Sequence, residues 1–515
     1  MKIIPITFFF FFVTLPTLRL PRDMWDGTII EYASLIKNFY GLKSYFLETT
    51  WYIQYPLSLA TIKASQFIGI SYKNMNAILV LAFMSFFLNE IYLLAKNRIK
   101  LSKVTSCFFM TLVATFYSWG NLLSSIMTLH LGCMALGLFS LRKIHSKNFL
   151  KIIVGFTVLI ISLSLQSQLF FLPILSYIYD TQNNIKIRKS WLIYPSLKTI
   201  LILLICIICY LIIKQIFPPY EIYKNYNNLI IFSPDGLALL MFSMLRQSTY
   251  LLPIIIIIIC LGFINFLFRN KGIKVNRPEY SYNPKWLIWS LIIFFAGSFP
   301  YNAVGKSSTL LDITDWNGRQ AFLIILPTCL FTTLCLQYFF DNSSTRFLKT
   351  LVKVSGVVIV FFNIIMLTIA IINKTNRQVF VNHLEKLIAK NQSNISPGLL
   401  EIIGSNIPGP PLRVYESNFL MYNATGKANW WTQVSDGNNE KFVIPCFIQE
   451  NYKYQIKYIY NFNHKHLNNH TIIEIVVKNF NGPLNMIRNF FGVGLGEIEL
   501  SYVISQYKKK VEKCK

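Results

Sequence analysis

The sequence predicts an α-helical polytopic membrane protein with about 11 transmembrane helices and a small mixed α/β or β-rich domain after them. Of the 515 residues, 54% are hydrophobic and 14% are charged, whereas soluble proteins carry roughly 25% charged residues. The apolar runs at 251–268 and 357–372 are long enough to cross a bilayer. Soluble enzymes, disordered chains and disulfide-rich secreted modules are therefore excluded.

The formal net charge of +27 is explained by topology. Short Lys and Arg clusters lie between the apolar runs, at 96–103, 142–147, 186–189 and 269–277. Basic loops stay in the cytoplasm during membrane insertion, and this assignment places all four clusters on one side. We therefore expect a bacterial inner-membrane protein with a cytoplasmic N-terminus and an extracytoplasmic C-terminal domain. Membrane lipids are the expected partners, and nucleic acid is not.

The predicted elements follow in order along the chain. A membrane domain covers 1–372, with extracytoplasmic loops at 19–73 and 302–319, and an extracytoplasmic domain covers 373–515. In this last region apolar runs shrink to strand length, as at 471–477, and VNHLEKLIAK predicts a short helix. The predicted spans are an N-terminal anchor followed by 75–95, 104–120, 121–141, 149–165, 168–180, 196–216, 250–268, 286–301, 320–340 and 350–372.

Acidic residues are absent from the middle of every predicted span. Ion-coupled carriers place ionisable groups near the bilayer midplane, so this distribution disfavours a coupled transporter and points to chemistry at the outer interface. Four functional classes remain open: a glycosyltransferase, a polysaccharide polymerase or ligase that uses Arg and His of later loops, a transporter or flippase of lipid-linked glycans, and a non-catalytic scaffold.

The first outer loop carries two candidate catalytic acids, Asp23 and Asp26. A helix that begins near Asp26 would hold both carboxylates ionised at its positive end. That state suits a general base or the ligand of a divalent cation, although a simple helix cap is the alternative reading. Three further residues of this loop are expected to line the substrate site: Trp25, Glu31 and Trp51.

Basic residues of later segments are candidates for binding a phosphate. Lys306 and Arg319 lie in the outer loop YNAVGKSSTLLDITDWNGRQ, and Arg246 lies in an amphipathic segment before the span 250–268. Arg binds phosphate in a two-point fork. Asp315 and Trp316 are expected to line the substrate site. The alternative for these residues is an interfacial belt, in which Trp and Arg only anchor a span.

The chain resembles the GT-C class of membrane glycosyltransferases, which includes the protein mannosyltransferases, the aminoarabinose transferases of lipid A and the transferases of lipopolysaccharide cores. The resemblance rests on the anchor, the acidic first outer loop with Asp23-Met-Trp-Asp26, the number of spans and the outer C-terminal domain. It implies transfer of a sugar from a polyprenyl-phosphate donor to a glycan, lipid or protein acceptor. Asp26 or Asp23 would then act as the base.

Overall fold

The protein is represented by a computed structural model. It describes residues 3–20, 27–37, 39–48, 54–122, 125–165, 167–181, 196–216, 235–269, 285–304, 306–314, 316–343, 345–396, 398–405, 407, 412, 414–427, 430–435, 469–478, 482–494, 496 and 499–508.

Helices dominate the part of the chain before residue 398. They are α1 (Ile3–Leu18), α2 (Gly27–Ile36), α3 (Phe39–Glu48), α4 (Gln54–Ile68), α5 (Tyr72–Leu94), α6 (Lys103–Thr115), α7 (Trp119–Leu122), α8 (Ser125–Ile144), α9 (Phe149–Ser162), α10 (Gln168–Thr181), α11 (Leu197–Ile216), α12 (Gly236–Ser248), α13 (Leu252–Arg269), α14 (Lys285–Asn302), α15 (Ile325–Asn342) and α16 (Arg346–Lys390). A π-helical turn, Ala95–Ile99, extends α5, and 3-10 segments at Leu310–Thr314 and Trp316–Ile324 precede α15.

The C-terminal part contains a four-stranded mixed sheet with two further helices. Its elements are β1 (Gly398–Ser405), α17 (Val414–Thr425), β2 (Trp430–Ser435), β3 (Asn469–Lys478), α18 (Gly482–Phe491) and β4 (Glu499–Lys508). The strand order is β2-β1-β3-β4. Strand β1 pairs in parallel with β2 and β3, whereas β3 and β4 are antiparallel. The prediction of a small mixed α/β unit is confirmed.

Fewer helices than predicted are long enough to cross a membrane. Four described stretches meet the requirements of length and hydropathy: Tyr72–Ile99, Gly236–Leu267, Gln320–Asn342 and Arg346–Lys390. Other predicted spans are shorter helices; α6, for example, has 13 residues and ends where the chain turns extended at Phe116. At 1.5 Å per residue, it covers about 20 Å. The structure confirms a helical membrane protein, but about eleven spans is wrong for the described part of the chain.

Helix α16 is continuous for 45 residues and joins two hydrophobic cores. Its first half contributes Val352 and Leu367 to the core of the bundle. Its last turns contribute Val379 and Leu384 to a second core beneath the sheet. The prediction of a separate short helix at VNHLEKLIAK is therefore wrong, because these residues are the end of α16.

One end of the bundle, here called the basic end, consists of the π-helical turn after α5, the ends of α8 and α10, and the start of α11. Its buried Glu90 accepts two hydrogen bonds from Arg142, at 2.7 Å to Nε and 2.8 Å to Nη2. The Arg98 guanidinium lies 4.9 Å from the centre of the Tyr179 ring. Two of the predicted cytoplasmic clusters, 96–103 and 142–147, therefore lie at one end, and Arg142 is paired with Glu90. The clusters at 186–189 and 270–277 lie outside the described residues.

A second network at the basic end is centred on His145. Its Nδ1 lies 3.2 Å from Asp180 Oδ1, and its Nε2 lies 2.9 Å from Ser176 Oγ. Thr199 donates its hydroxyl hydrogen to Asp180, so the 2.9 Å bond between Ser176 and Thr199 uses the hydrogen of Ser176. These buried hydrogen bonds link the end of α8 to α10 and α11.

Candidate functional site

The opposite end of the bundle, here called the loop end, is formed by the C-terminal turn of α12, the segment 306–314 and the 3-10 helix Trp316–Ile324. Among the predicted site residues it contains Arg246 and Lys306. The Lys306 backbone N–H donates to the Tyr301 carbonyl at 2.9 Å, which turns the chain away from α14. The structure does not describe Asp23, Trp25, Asp26, Trp51 and Asp315, nor the side chains of Trp316 and Arg319.

Arg246 and Asp312 form the charged pair of the loop end. Arg246 Nη2 lies 3.9 Å from Asp312 Oδ2, and the Arg246 side chain is 43% exposed. A charge-assisted hydrogen bond of this type measures roughly 2.7–2.9 Å, so the pair is loose. The Asp312 carboxylate is positioned by a hydrogen bond within its own loop, because Oδ2 accepts from the Thr309 backbone N–H at 2.6 Å. The guanidinium is therefore accessible to an incoming anion.

The segment 306–314 is fixed to the junction between α12 and α13. Thr249 Oγ accepts from the Leu310 backbone N–H at 3.0 Å, and the Tyr250 hydroxyl donates to Ser308 Oγ at 3.2 Å. Tyr250 lies four residues after Arg246 on a nearly continuous helix, so both belong to neighbouring turns of one face. The loop that carries Asp312 is thus positioned above Tyr250.

Three buried amides at the loop end have polar atoms without a hydrogen-bond partner among the described residues. They are Oε1 of Gln247, Oε1 of Gln320, and both amide atoms of Asn302. Gln247 makes one bond, from its Nε2 to the Gln320 carbonyl at 3.2 Å. Buried polar atoms are nearly always paired with protein or ordered water. These amides therefore give the loop end a capacity for hydrogen bonds that its described side chains do not use.

An apolar cavity of about 110 Å³ lies beneath Tyr250. Tyr250 stacks on Tyr117 with ring centres 5.7 Å apart and an angle of 4° between the rings, and this pair closes the cavity on the side of the loop end. Val358 of α16 lines the cavity and is 52% exposed, so its wall reaches the outer surface of the bundle. Helices α6, α13, α15 and α16 form the walls.

Helix α2, which lies in the predicted first outer loop, packs against the C-terminal unit. Tyr32 of α2 contacts the rings of Phe419 and Tyr422 of α17, at 5.4 and 4.9 Å between ring centres. Nearby, α17 forms a buried ion pair with α16, in which Arg377 Nη2 lies 2.8 Å from Glu416 Oε2. The predicted site residue Glu31 is half-buried in α2. The structure therefore places Glu31 beside the C-terminal unit, on a different set of elements from Arg246 and Lys306.

Several residues of this site were missed by reasoning from the sequence. Tyr117 and Tyr250 look like ordinary interfacial aromatics, and the amides of Gln247, Asn302 and Gln320 are spread over three segments. The available signal was the polar run Arg-Gln-Ser-Thr at 246–249, which follows a strongly apolar stretch. Its partners 308–320 are about 60 residues away, so local pattern cannot identify them.

The described residues contain no cluster of His, Cys, Asp or Glu that could hold a metal ion. The divalent cation expected at the first outer loop concerns Asp23 and Asp26, which lie outside the described ranges. Comparison with protein-family models matches no family, and no curated protein matches the chain.

Proposed function

We propose that the protein is a membrane glycosyltransferase that transfers a sugar from a polyprenyl-phosphate donor to a cell-surface glycan, lipid or protein acceptor at the outer face of the membrane. The observation that carries this proposal is the apolar cavity that reaches the lipid-facing surface beside Val358 and ends beneath Tyr250. Directly above it lie Arg246 and the loop with Lys306 and Asp312. A ligand with an alkyl chain and an anionic head group would match an apolar cavity that lies below cationic side chains.

The size of the cavity limits which part of the donor it holds. Pockets that enclose a drug-sized ligand measure roughly 300–1,000 Å³, and this cavity measures about 110 Å³. A cavity of this size would hold only a short stretch of the donor's alkyl chain, and the rest of the chain would lie along the exposed surface of α13 and α16. Ile256 and Phe361 on that surface are 52% and 60% exposed.

In the proposed reaction, the bond between the anomeric carbon and the phosphate oxygen breaks, and a bond from the acceptor oxygen forms. The acceptor proton passes to a carboxylate, for which the resemblance nominates Asp26 or Asp23. The polyprenyl phosphate leaves with one more negative charge on its oxygen, and Arg246, with Lys306 and Arg319 as further candidates, stabilises that charge. Approach of the phosphate would replace the loose contact of Arg246 with Asp312.

Binding of undecaprenyl phosphate to the full chain in nanodiscs tests the phosphate site. We expect Arg246→Ala to weaken binding by at least about tenfold, since a charged contact to phosphate contributes roughly 1.5–3 kcal/mol. Arg246→Lys should recover part of it, because Lys keeps the charge but loses the fork. Arg346→Ala, in the exposed first turn of α16, is the matched control. Equal binding by Arg246→Ala and Arg346→Ala would contradict the assignment.

Two further comparisons test residues whose side chains the structure does not describe. Arg319→Lys should impair donor-dependent transfer if Arg319 grips phosphate with two bonds, whereas an interfacial anchor tolerates Lys. Asp26→Asn or Asp23→Asn should lower the transfer rate by about 10²–10⁴ if the residue is the base. Full activity of both Asn variants would remove the base assignment.

A polysaccharide polymerase or ligase is the second candidate. The observation that favours it is that the cationic groups described at the loop end, Arg246 and Lys306, belong to later segments, as expected for that class. It predicts that both Asp23→Asn and Asp26→Asn stay active while Arg246→Ala does not. The same two sets of variants therefore separate the candidates.

A further inference from the structure

Helix α18 of the C-terminal unit is amphipathic, but its two faces are arranged the opposite way from those of a helix on a water-soluble domain. Its buried residues are Gly482, Asn485 and Asn489. Its exposed residues include Leu484 at 46% and Ile487 at 45%. Helices on soluble domains turn the apolar face inward and the polar face to water. The exposed face of α18 is therefore largely apolar.

The exposed apolar surface continues beyond the end of the helix. Phe491 is 71% exposed and Val493 is 76% exposed. The chain turns here because Gly492, with φ of +75°, ends α18. The Gly492 N–H donates to the Asn489 carbonyl at 3.2 Å and the Val493 N–H to the Arg488 carbonyl at 3.0 Å. This is the Schellman arrangement, so the outward position of Phe491 and Val493 is fixed by backbone hydrogen bonds.

Contacts with α1 fix the position of α18 along the axis of that helix, near its C-terminal end. Asn489 Nδ2 donates to the Pro16 carbonyl at 2.6 Å, and Arg19 Nη1 donates to the Phe490 carbonyl at 2.6 Å. Each bond satisfies a carbonyl at the C-terminus of a helix, where no partner within the helix exists. The Phe490 ring packs edge-on against Phe12, with ring centres 4.9 Å apart. By helix rise, Phe12 lies about 10 Å below Arg19 along α1.

The apolar face of α18 adjoins surfaces of the bundle that face lipid. Phe8 and Phe12 of α1 are 68% and 59% exposed. At its other end, α18 lies against α16, where a side chain on Gly482 would come within 2.7 Å of Asn376 Nδ2 and 3.4 Å of Ile372. Helix α16 is among the four helices long and apolar enough to cross a membrane. The exposed faces of α1, α16 and α18 therefore form one apolar surface.

We propose that α18 is an interfacial helix that inserts Leu484, Ile487, Phe491 and Val493 into the lipid bilayer and anchors the C-terminal unit to the membrane surface. Arg19 and the exposed Arg488 lie at this level and can reach lipid phosphates while their stems stay in apolar surroundings. The occupant is lipid, and not a second protein, because the surface is continuous with the exposed apolar faces of α1 and of α16, and α16 is long and apolar enough to cross a membrane. This inference is independent of the proposed enzymatic activity.

Quenching by labelled lipid tests the insertion in the full chain. An environment-sensitive fluorescent amino acid replaces Ile487, and the protein is reconstituted in phosphatidylcholine vesicles with or without lipid brominated in its acyl chains. Phe361, exposed on α16, is the reference inside the bilayer, and Glu474, exposed on β3, is the reference in water. We expect quenching at position 487 close to that at 361, and none at 474.

Quenching at 487 no greater than at 474 would overturn the proposal. If the probe is shielded from water at 487 but brominated lipid does not quench it, the face is covered by protein, and the proposal is equally overturned. The same label at Phe491 provides a second position should the first variant fail to fold.

Discussion

The two ends of the bundle contain similar polar side chains in different states of pairing. At the basic end, Glu90 accepts two short hydrogen bonds from Arg142, and Asp180 is bonded by His145, Thr199 and the backbone of Ser196. At the loop end, Arg246 lies 3.9 Å from Asp312. There, buried amides of Gln247, Asn302 and Gln320 have atoms without a partner among the described residues.

This difference separates stability from recognition. A buried charge that is fully paired is not available to bind a ligand, because breaking the pair costs more free energy than a new contact with a ligand provides. A half-exposed pair at the distance of Arg246 and Asp312 contributes little to stability. It can be exchanged for another anion at small cost. The amides of Gln247, Asn302 and Gln320 lie at the end where the cavity closes, and that is where we expect binding.

The largest effect should follow from breaking the ion pair at the basic end. Glu90→Ala leaves the Arg142 side chain, 29% exposed, without its partner, so we expect a loss of about 3 kcal/mol in the free energy of unfolding. Thermal unfolding in detergent measures it. In a double-mutant cycle, Glu90→Ala with Arg142→Met should cost less than the sum of the single changes. Additive losses would show that the two residues do not interact.

A pH effect of about 2 kcal/mol is expected from Asp180. Burial acts to raise the pKa of this carboxyl, but hydrogen bonds from His145, Ser196 and Thr199 outweigh burial and lower the pKa to about 2, from the ordinary 3.8. A lowered pKa in the folded state stabilises the protein above pH 4, and the gain is lost as the pH falls from 4 toward 2.

Unfolding of the wild type and of Asp180→Asn across pH 2–7 measures this effect. The difference between them should be largest at pH 5–7 and should shrink below pH 4. Asp312→Asn at the loop end is the control, and its difference from the wild type should stay small. A pH-independent difference for Asp180→Asn would refute the ionised pair.

Two amide-to-leucine changes should differ by about 1 kcal/mol or more in their effect on the free energy of unfolding. Gln337, near the end of α15, donates to Asp341 at 2.8 Å and accepts from Thr105 at 2.8 Å, so Gln337→Leu should destabilise the protein. Asn302→Leu removes two buried polar atoms without described partners and should be neutral or stabilising. Melting temperatures of the two variants make the comparison. Equal destabilisation by both would mean that Asn302 is as fully bonded as Gln337.

The smallest effect is expected for Asp312→Asn. The Asp312 side chain is 20% exposed and its contact with Arg246 is long, so we expect a change in stability below about 1 kcal/mol. Binding of undecaprenyl phosphate should rise or stay unchanged, because the competing carboxylate charge is gone. A large loss of stability would place Asp312 in the same class as Glu90 and remove the contrast between the ends.

The membrane class and the mixed C-terminal sheet could be predicted, because both follow from the spacing and length of apolar runs. Strand β3, for example, covers the alternating stretch at 471–478. The length of α16 could not be predicted. The polar run Asn-Lys-Thr-Asn-Arg at 373–377 looks like the end of a span, yet the helix continues through it, in part because Arg377 is paired with Glu416, 39 residues later.

The candidate site shows the same limit. Arg246 was identified from its place next to an apolar span. Its neighbour Asp312 counted only as one outer acid, since the contact joins segments 66 residues apart. The network of His145, Ser176, Asp180 and Thr199 was missed for the same reason, because it joins residues from three helices whose neighbourhood depends on tertiary packing.

The uninterrupted helix α16 connects the cavity to the core under the sheet through continuous helical backbone. Val358 and Phe362 line the cavity, and Val379 to Ile388 on the same helix form the core under the sheet. These two parts of α16 are about 20 residues, or about 30 Å, apart. A tilt of α16 by about 5° around the part under the sheet would displace the part at the cavity by about 2.6 Å over that length. A displacement of the C-terminal unit that tilts α16 would therefore also move a helix that lines the cavity.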